Sequence, residues 1–226
     1  NFRGEVGAVG RDNDLDLLVV TGGNEFTGSS VNQMPKLYLN NGKGGFEASK
    51  GLPELYITAS SVSVGDFDKD NDQDIFIGVR TIPYKYGEEP DNHLLRNDGK
   101  GNFTDVTNLV APSLLKFGFI KHSVWADIDG DNDMDLLLAA EWKPITILIN
   151  EGGKLNPLPL ENSGLEYTNG WWNHLQVADF DNDGDLDIVA GNLGLNSTLR
   201  ASRNEPVRMY VSDFDNNSSP EQVLSH

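Results

Sequence analysis

Aspartate occupies every second position in three stretches of this 226-residue chain. Asp66, Asp68, Asp70, Asp72 and Asp74 form the first, and Asp127, Asp129, Asp131, Asp133 and Asp135 the second. Asp179, Asp181, Asp183, Asp185 and Asp187 form the third. Carboxylates at that density suit a hard divalent cation. Ca²⁺ takes about six to eight oxygens from carboxylates, backbone carbonyls and water. On a tightly curled loop the alternate spacing can point positions 1, 3, 5 and 9 inward, leaving position 7 to offer its carbonyl. Without a cation such a loop is costly. Two unit charges about 5 Å apart in water repel by roughly 0.8 kcal/mol, every pair among the five adds to that, and salt only reduces it.

Two degraded copies flank these three. GAVGRDNDLDLLVV (Gly7–Val20) has Ala8 and Gly10 at positions 1 and 3 and keeps Asp12, Asp14 and Asp16, so it is expected to be empty or weak. YVSDFDNNSSPEQVL (Tyr210–Leu224) offers Asp213, Asp215, Asn217, Ser219 and Glu221, with Pro220 among them, and is carried as a fourth candidate ligand set. Of the 35 acidic residues, 21 lie in these loops: five in each full copy and three in each degraded one. The charge is therefore concentrated rather than spread for solubility. A helix-loop-helix calcium hand does not fit. It needs an acid at its twelfth position and a helix on each side, whereas the twelfth residues here are Ile77, Leu138 and Ala190, in β-rich exits.

The elements around the loops repeat as well. SVSVG, HSVWA and HLQVA read as strands entering a loop, and DIFIGV, DLLLAA and DIVAG as strands leaving it. KLYLNNGKGGF (Lys36–Phe46) and HLLRNDGKGNF (His93–Phe103) read as strand, Asn/Asp-Gly turn and strand, with ITILINEGGKL (Ile145–Leu155) a weaker copy. Measured at the ninth loop position the intervals are 58, 61, 52 and 34 residues. The last is too short for a unit of the same size, so a hairpin is expected to be missing there. Four antiparallel strands per unit, repeated, indicate an all-β propeller. We read one propeller domain or fragment over 1–226, with units near 1–55, 56–115, 116–165 and 166–206 and a partial one at 207–226. About four blades are visible, as part of a larger ring.

GDFDKDNDQDIFIG, ADIDGDNDMDLLLA and ADFDNDGDLDIVAG resemble the calcium loops of FG-GAP/VCBS repeats, as in the integrin α-subunit propeller. LYLNNGKGGF and LLRNDGKGNF are similar to the hairpins of the branch that includes cartilage acidic proteins and the ASPIC/UnbV-associated repeats. The resemblance spans nearly the whole chain. It implies side-chain ligands at positions 1, 3, 5 and 9, a carbonyl ligand at position 7, and about three to four Ca²⁺ ions in a structural role.

The remaining composition excludes several classes. With 17 basic against 35 acidic residues the formal charge is −18, the wrong sign for nucleic acid. There is no cysteine, hence no disulfide or thiolate site, and no apolar run of roughly 18 residues that would insert into a membrane. The chain opens on Asn1 rather than Met, which reads as a mature or excised piece. No catalytic constellation emerges. Equivalent positions, five residues before each loop, bring Arg3, Ser61, His122, His174 and Arg208 to one channel mouth; they are expected chiefly to make ordinary contacts between blades, the alternative being a second site in which Arg3, His122, His174 and Arg208 bind a carboxylate or sulfated sugar. Trp125, Trp142, Trp171 and Trp172 are expected chiefly to fill wedges between blades. The function expected is a non-enzymatic binding or adhesion module, extracellular, cell-surface or periplasmic, for a protein or glycan partner. Loops of about 10⁻⁴–10⁻³ M affinity suit millimolar calcium outside the cell. The alternative is a calcium-dependent polysaccharide lyase or hydrolase using His122, His174, Arg208 and Tyr210.

Overall fold

Each acidic loop joins two antiparallel strands in the same register. In the computed structural model, which describes residues 2–7, 9, 14–161 and 163–225 (the backbone alone for 2–7), the ninth loop residue always pairs with the residue just before the loop. The pairs are Gly7 with Asp16, Gly65 with Asp74, Ala126 with Asp135, Ala178 with Asp187 and Ser212 with Glu221.

Three complete blades follow from this unit. The first contains β1 (Phe2–Gly7), β2 (Asp16–Thr21), β3 (Lys36–Asn40) and β4 (Phe46–Ala48), paired in that order. The second contains β5 (Thr58–Gly65), β6 (Asp74–Thr81), β7 (His93–Asn97) and β8 (Phe103–Asp105), followed by a single helical turn, α1 (Thr107–Val110). The third contains β9 (Ile120–Ala126), β10 (Asp135–Lys143), β11 (Thr146–Asn150) and β12 (Leu155–Pro157). Two shorter units complete the described chain: β13 (Gly170–Ala178) with β14 (Asp187–Asn192), and β15 (Arg208–Ser212) with β16 (Glu221–Ser225). The unit read over 166–206 thus supplies two strands, and residues 193–207 are loop. The short 34-residue interval reflects that missing hairpin.

The entering strands are innermost. β1 packs beside β5, β5 beside β9, and β9 beside β13. Between successive blades lie three apolar wedges. Leu18, Val20 and Leu37 of the first blade meet Ile75, Ile77 and Leu95 of the second. Phe76 and Leu94 face Leu136, Leu138 and Ile120 of the third. Leu137 and Ala139 face Leu175, with Val177 and Ile188 partly buried against them. The alternation of strand side chains explains the apolar runs DIFIGV and DLLLAA. Successive residues of β6 and β10 face opposite blades, so both faces are buried, whereas β2 buries one face only.

Small residues let the wedge close. A Cβ on Gly78 would lie 2.4 Å from Ile120 Cγ2, and one on Gly65 would lie 2.8 Å from the Trp125 ring. Trp125 stacks on Phe67 with centroids 6.5 Å apart, so this tryptophan fills a wedge as expected.

Candidate functional site

The loops curl because two residues in each adopt left-handed backbone. They are Lys69 and Asn71 (φ 60° and 69°), Gly130 and Asn132 (77° and 69°), Asn182 and Gly184 (62° and 99°), and Asn216 and Ser218 (60° and 68°). All sit at positions 4 and 6, between the acids. Asn and Gly tolerate this region best, which accounts for the Asn/Gly letters interleaved with Asp. The first carboxylate then gathers the turn. Asp66 accepts from the Asp70 and Asn71 N–H groups at 3.1 and 3.0 Å. Asp179 accepts from Asp183 and Gly184, and Asp213 from Asn217 and Ser218. Asp127 accepts from Gly130 and Asn132. The fifth loop therefore folds like the others despite Asn217, Ser219 and Glu221.

The ninth residue has a different task. Asp74 accepts from Phe67 N–H at 3.2 Å and from Asn97 N–H at 2.8 Å, pinning its loop to β7. Asp135 does the same with Ile128 and Asn150, and Asp16 with Val9 and Asn40. Burial pushes the Asp74 carboxyl up to about 7, against the pull of those two N–H donors. Burial likewise raises Asp135. Asp187 and Glu221 keep only the bond within the loop, from Phe180 and Phe214 N–H, among those the described residues show.

Four groups of acids bring ligand oxygens within 4.8 Å of one another: Asp66, Asp68 and Asp70; Asp127, Asp129 and Asp135; Asp179, Asp181 and Asp187; Asp213, Asp215 and Glu221. These could hold a metal ion. Asp68 tests the fit. Its Oδ1 is buried without a hydrogen-bond partner, although a buried acceptor ordinarily has one. Burial, with Asp70 and Asp66 nearby, raises its pKa. Arg96 lies 4.0 Å from the other oxygen, Oδ2, which leaves Oδ1 without a partner, and the donor set is all oxygen, as a hard cation requires.

Fifth-position acids share one bond: Asp70, Asp131 and Asp183 accept from the Asp72, Asp133 and Asp185 N–H groups, and Asp70 alone of the three also joins its acid group. Seventh-position side chains lie outside all four groups. Asp133 pairs with Lys69 of the preceding loop and accepts from Gly152 N–H; the Lys69 bond holds its carboxyl below the ordinary range. A Cβ on Gly99 would meet Asp72 at 2.2 Å, and Asp185 is exposed. In the first copy Asp12 lies outside the described residues, as do Ala8 and Gly10.

Of the expected channel-mouth set, His122 and His174 come together, ring centroids 3.9 Å apart, and His122 Nδ1 accepts from Leu175 N–H at 3.3 Å. Arg208 begins β15 and is exposed in a separate sheet. Arg3 pairs through its backbone with Val20, and its side chain lies outside the described residues.

Sequence reasoning missed the third-strand asparagine. Asn97 Nδ2 donates to Gln73 O in its own blade and to Val9 O in the preceding loop, each at 3.1 Å. Asn150 Nδ2 donates to Met134 O and Phe67 O in the same way. The signal was available: Asn40, Asn97 and Asn150 each stand two residues before the turn glycine.

A blade of antiparallel strands, its first two joined by an acid-lined loop and stapled to the next, defines a β-propeller binding module with candidate metal centres. The chain belongs to the FG-GAP-like repeat family, which matches residues 10–77, 86–138 and 127–190. Among solved structures it is similar to a lectin of Agrocybe aegerita described as specifically recognising non-reducing terminal N-acetylglucosamine. That likeness has a TM-score of 0.54 at 16% identity and covers 99% of this chain. The chain spans 60% of the lectin's length. No curated protein matches significantly.

Proposed function

We propose that the chain is the calcium-stiffened part of an extracellular or cell-surface binding and adhesion module, with no catalytic role. The observation that carries this is the gathering of four acid groups within 4.8 Å, with Asp68 Oδ1 buried and unpartnered in one of them. Asp66, Asp68 and Asp70 would hold one ion and Asp127, Asp129 and Asp135 another. Asp179, Asp181 and Asp187 would hold a third, and Asp213, Asp215 and Glu221 a fourth. Bound there, a divalent cation would offset the carboxylate repulsion and fix the turn between the two inner strands of a blade. The chain's own part is to pre-shape each turn through the first carboxylate and the left-handed pair. Among the described residues no helix is long and apolar enough to cross a membrane. The glycan specificity described for the lectin supports a binding reading, and a glycan or protein partner.

Thermal unfolding in millimolar calcium and in excess EGTA, beside a count of bound metal, tests this. At extracellular affinities each occupied site adds about 1 kcal/mol. Three or four sites predict a fall of roughly 10 °C in Tm on chelation. Absence of bound metal and an unchanged Tm would sink the calcium reading.

A further inference from the structure

Between the end of β10, the start of β13 and the loop 193–207 lies a cavity of about 760 Å³ that shares no residue with the acidic loops. Its wall is aromatic: Trp142 and Trp171 meet edge to face with centroids 5.2 Å apart. Tyr167 lines it too and is 70% exposed.

Trp142 is held in place at a cost. It sits at φ 69°, in left-handed backbone that a bulky residue rarely adopts, where β10 slips register between Glu141 and Lys143. Its Nε1 donates to Tyr86 Oη at 2.8 Å, and Tyr86 Oη donates to Glu141 Oε2 at 2.6 Å. Asn169 Nδ2 donates to the Trp142 carbonyl. Structure that over-determines a strained residue points towards function rather than packing. The strain here aims an indole at a cavity.

The polar groups of the cavity are unusual for this chain. No acidic side chain is among its described lining residues, although the chain's formal charge is −18. Among the described lining residues the one cation is Arg203, whose guanidinium lies 3.8 Å from the Tyr167 ring centroid. Asn192, Ser197 and Ser202 add hydroxyl- and amide-bonding groups.

We propose that this cavity binds the terminal residue of a saccharide bearing a carboxylate, a hexuronic acid. The reading rests on the chain being a binding module. A pyranose has an apolar C–H face, which the indoles can cover, and a rim of hydroxyls for the Asn and Ser groups. The planar guanidinium suits a carboxylate through paired hydrogen bonds. A terminal sugar with one charge fits better than an internal stretch of polyuronate, because the strongly acidic surface repels a polyanion.

The test uses the full chain in calcium, titrated with methyl glucuronoside and methyl glucoside, by calorimetry and tryptophan fluorescence. The two sugars differ at the carboxylate alone. Saturable binding of the uronide is expected, at least ten-fold tighter than the glucoside. Arg203→Ala should bring the uronide down to the glucoside's level, and Tyr167→Ala, at an exposed position, should weaken it. Equal binding of the two sugars, no saturable binding, or a preference that survives Arg203→Ala overturns the proposal. Equally tight binding of a glutamate dipeptide overturns the saccharide assignment. Melting the same samples with and without EGTA separates the two readings: a protein that responds to calcium but ignores uronide fails here alone.

Discussion

The second and fourth blades carry the same nine-residue acidic motif in opposite surroundings. In the second, Asp74 is wholly buried and Phe67 is 2% exposed, covered by Trp125 of the next blade. In the fourth, Asp187 lacks a third strand to pin and Phe180 is 51% exposed. The loop backbone is nevertheless alike, with the same left-handed positions and the same bonds to the first carboxylate. Curling the loop is thus a local property of Asp, Asn and Gly, whereas burying it is a property of the third strand and the neighbouring blade. A metal site can form in either blade, but only in the second is the loop also a structural keystone.

That difference is sharpest at the ninth position. In chelator, where metal no longer contributes, Asp74→Ala leaves two N–H groups, of Phe67 and Asn97, without an acceptor in a buried setting. Each such group costs about 1–3 kcal/mol, so the loss should reach roughly 2–5 kcal/mol in a urea melt followed by tryptophan fluorescence. Asp187→Ala removes one bond, from Phe180 N–H, at a partly exposed residue and should cost about 1 kcal/mol or less. Equal losses would break the comparison, because burial would then be irrelevant to the pin.

The loops and hairpins were legible because their signals are local. Asp at alternate positions, Asn or Gly between them and Asn/Asp-Gly turns each act within a few residues. The missing hairpin after β14 was legible too, as a shortened interval. What escaped depends on contacts distant in sequence. The Asn150 staple reaches Phe67, 83 residues away, and the cavity unites Trp142 with Arg203 through a loop that has no periodicity. Trp142 and Trp171 were expected to act as wedge filler like Trp125; the strained backbone and the bond to Tyr86 set Trp142 apart, and Trp171 meets it edge to face. Counting back from each loop named His122, His174 and Arg208 together; the two histidines meet, while Arg208 lies on β15 in another sheet.

A smaller effect probes the same contrast through glycine. Gly78 and Gly191 are equivalent, each twelve residues after the first loop aspartate. A Cβ at Gly78 strikes Ile120 of the third blade, while one at Gly191 meets nothing within 4 Å. Gly78→Ala should therefore destabilise by about 1–3 kcal/mol through overpacking. Gly191→Ala should be neutral or stabilise slightly, since alanine restricts the unfolded chain. A Gly191→Ala variant as damaged as Gly78→Ala would mean that the fourth blade's strand is covered in solution.

The smallest expected effect lies at the outer edge, where the fourth blade has no counterpart. Burial opposes ionisation of Asp105 on β8, but bonds from His93 Nδ1, from Thr107 Oγ1 and from Thr107 N–H outweigh it, and its carboxyl titrates below the ordinary value. The Thr107 hydroxyl also accepts from Leu94 N–H at 2.7 Å, so the cluster joins β7, β8 and the helical turn. A carboxyl whose folded pKa is depressed contributes stability above its unfolded pKa, near 4, and loses it as pH falls through the folded value. Asp105→Asn should therefore destabilise the chain at pH 7 and flatten the acid limb of a Tm-against-pH profile below about pH 4. The change belongs to a complete blade, so it should leave Asp187→Ala additive with it. A cycle showing strong coupling between the two would mean that the outer edge of the second blade and the loop of the fourth respond as one unit, and that the division between buried and exposed blades is not an energetic one.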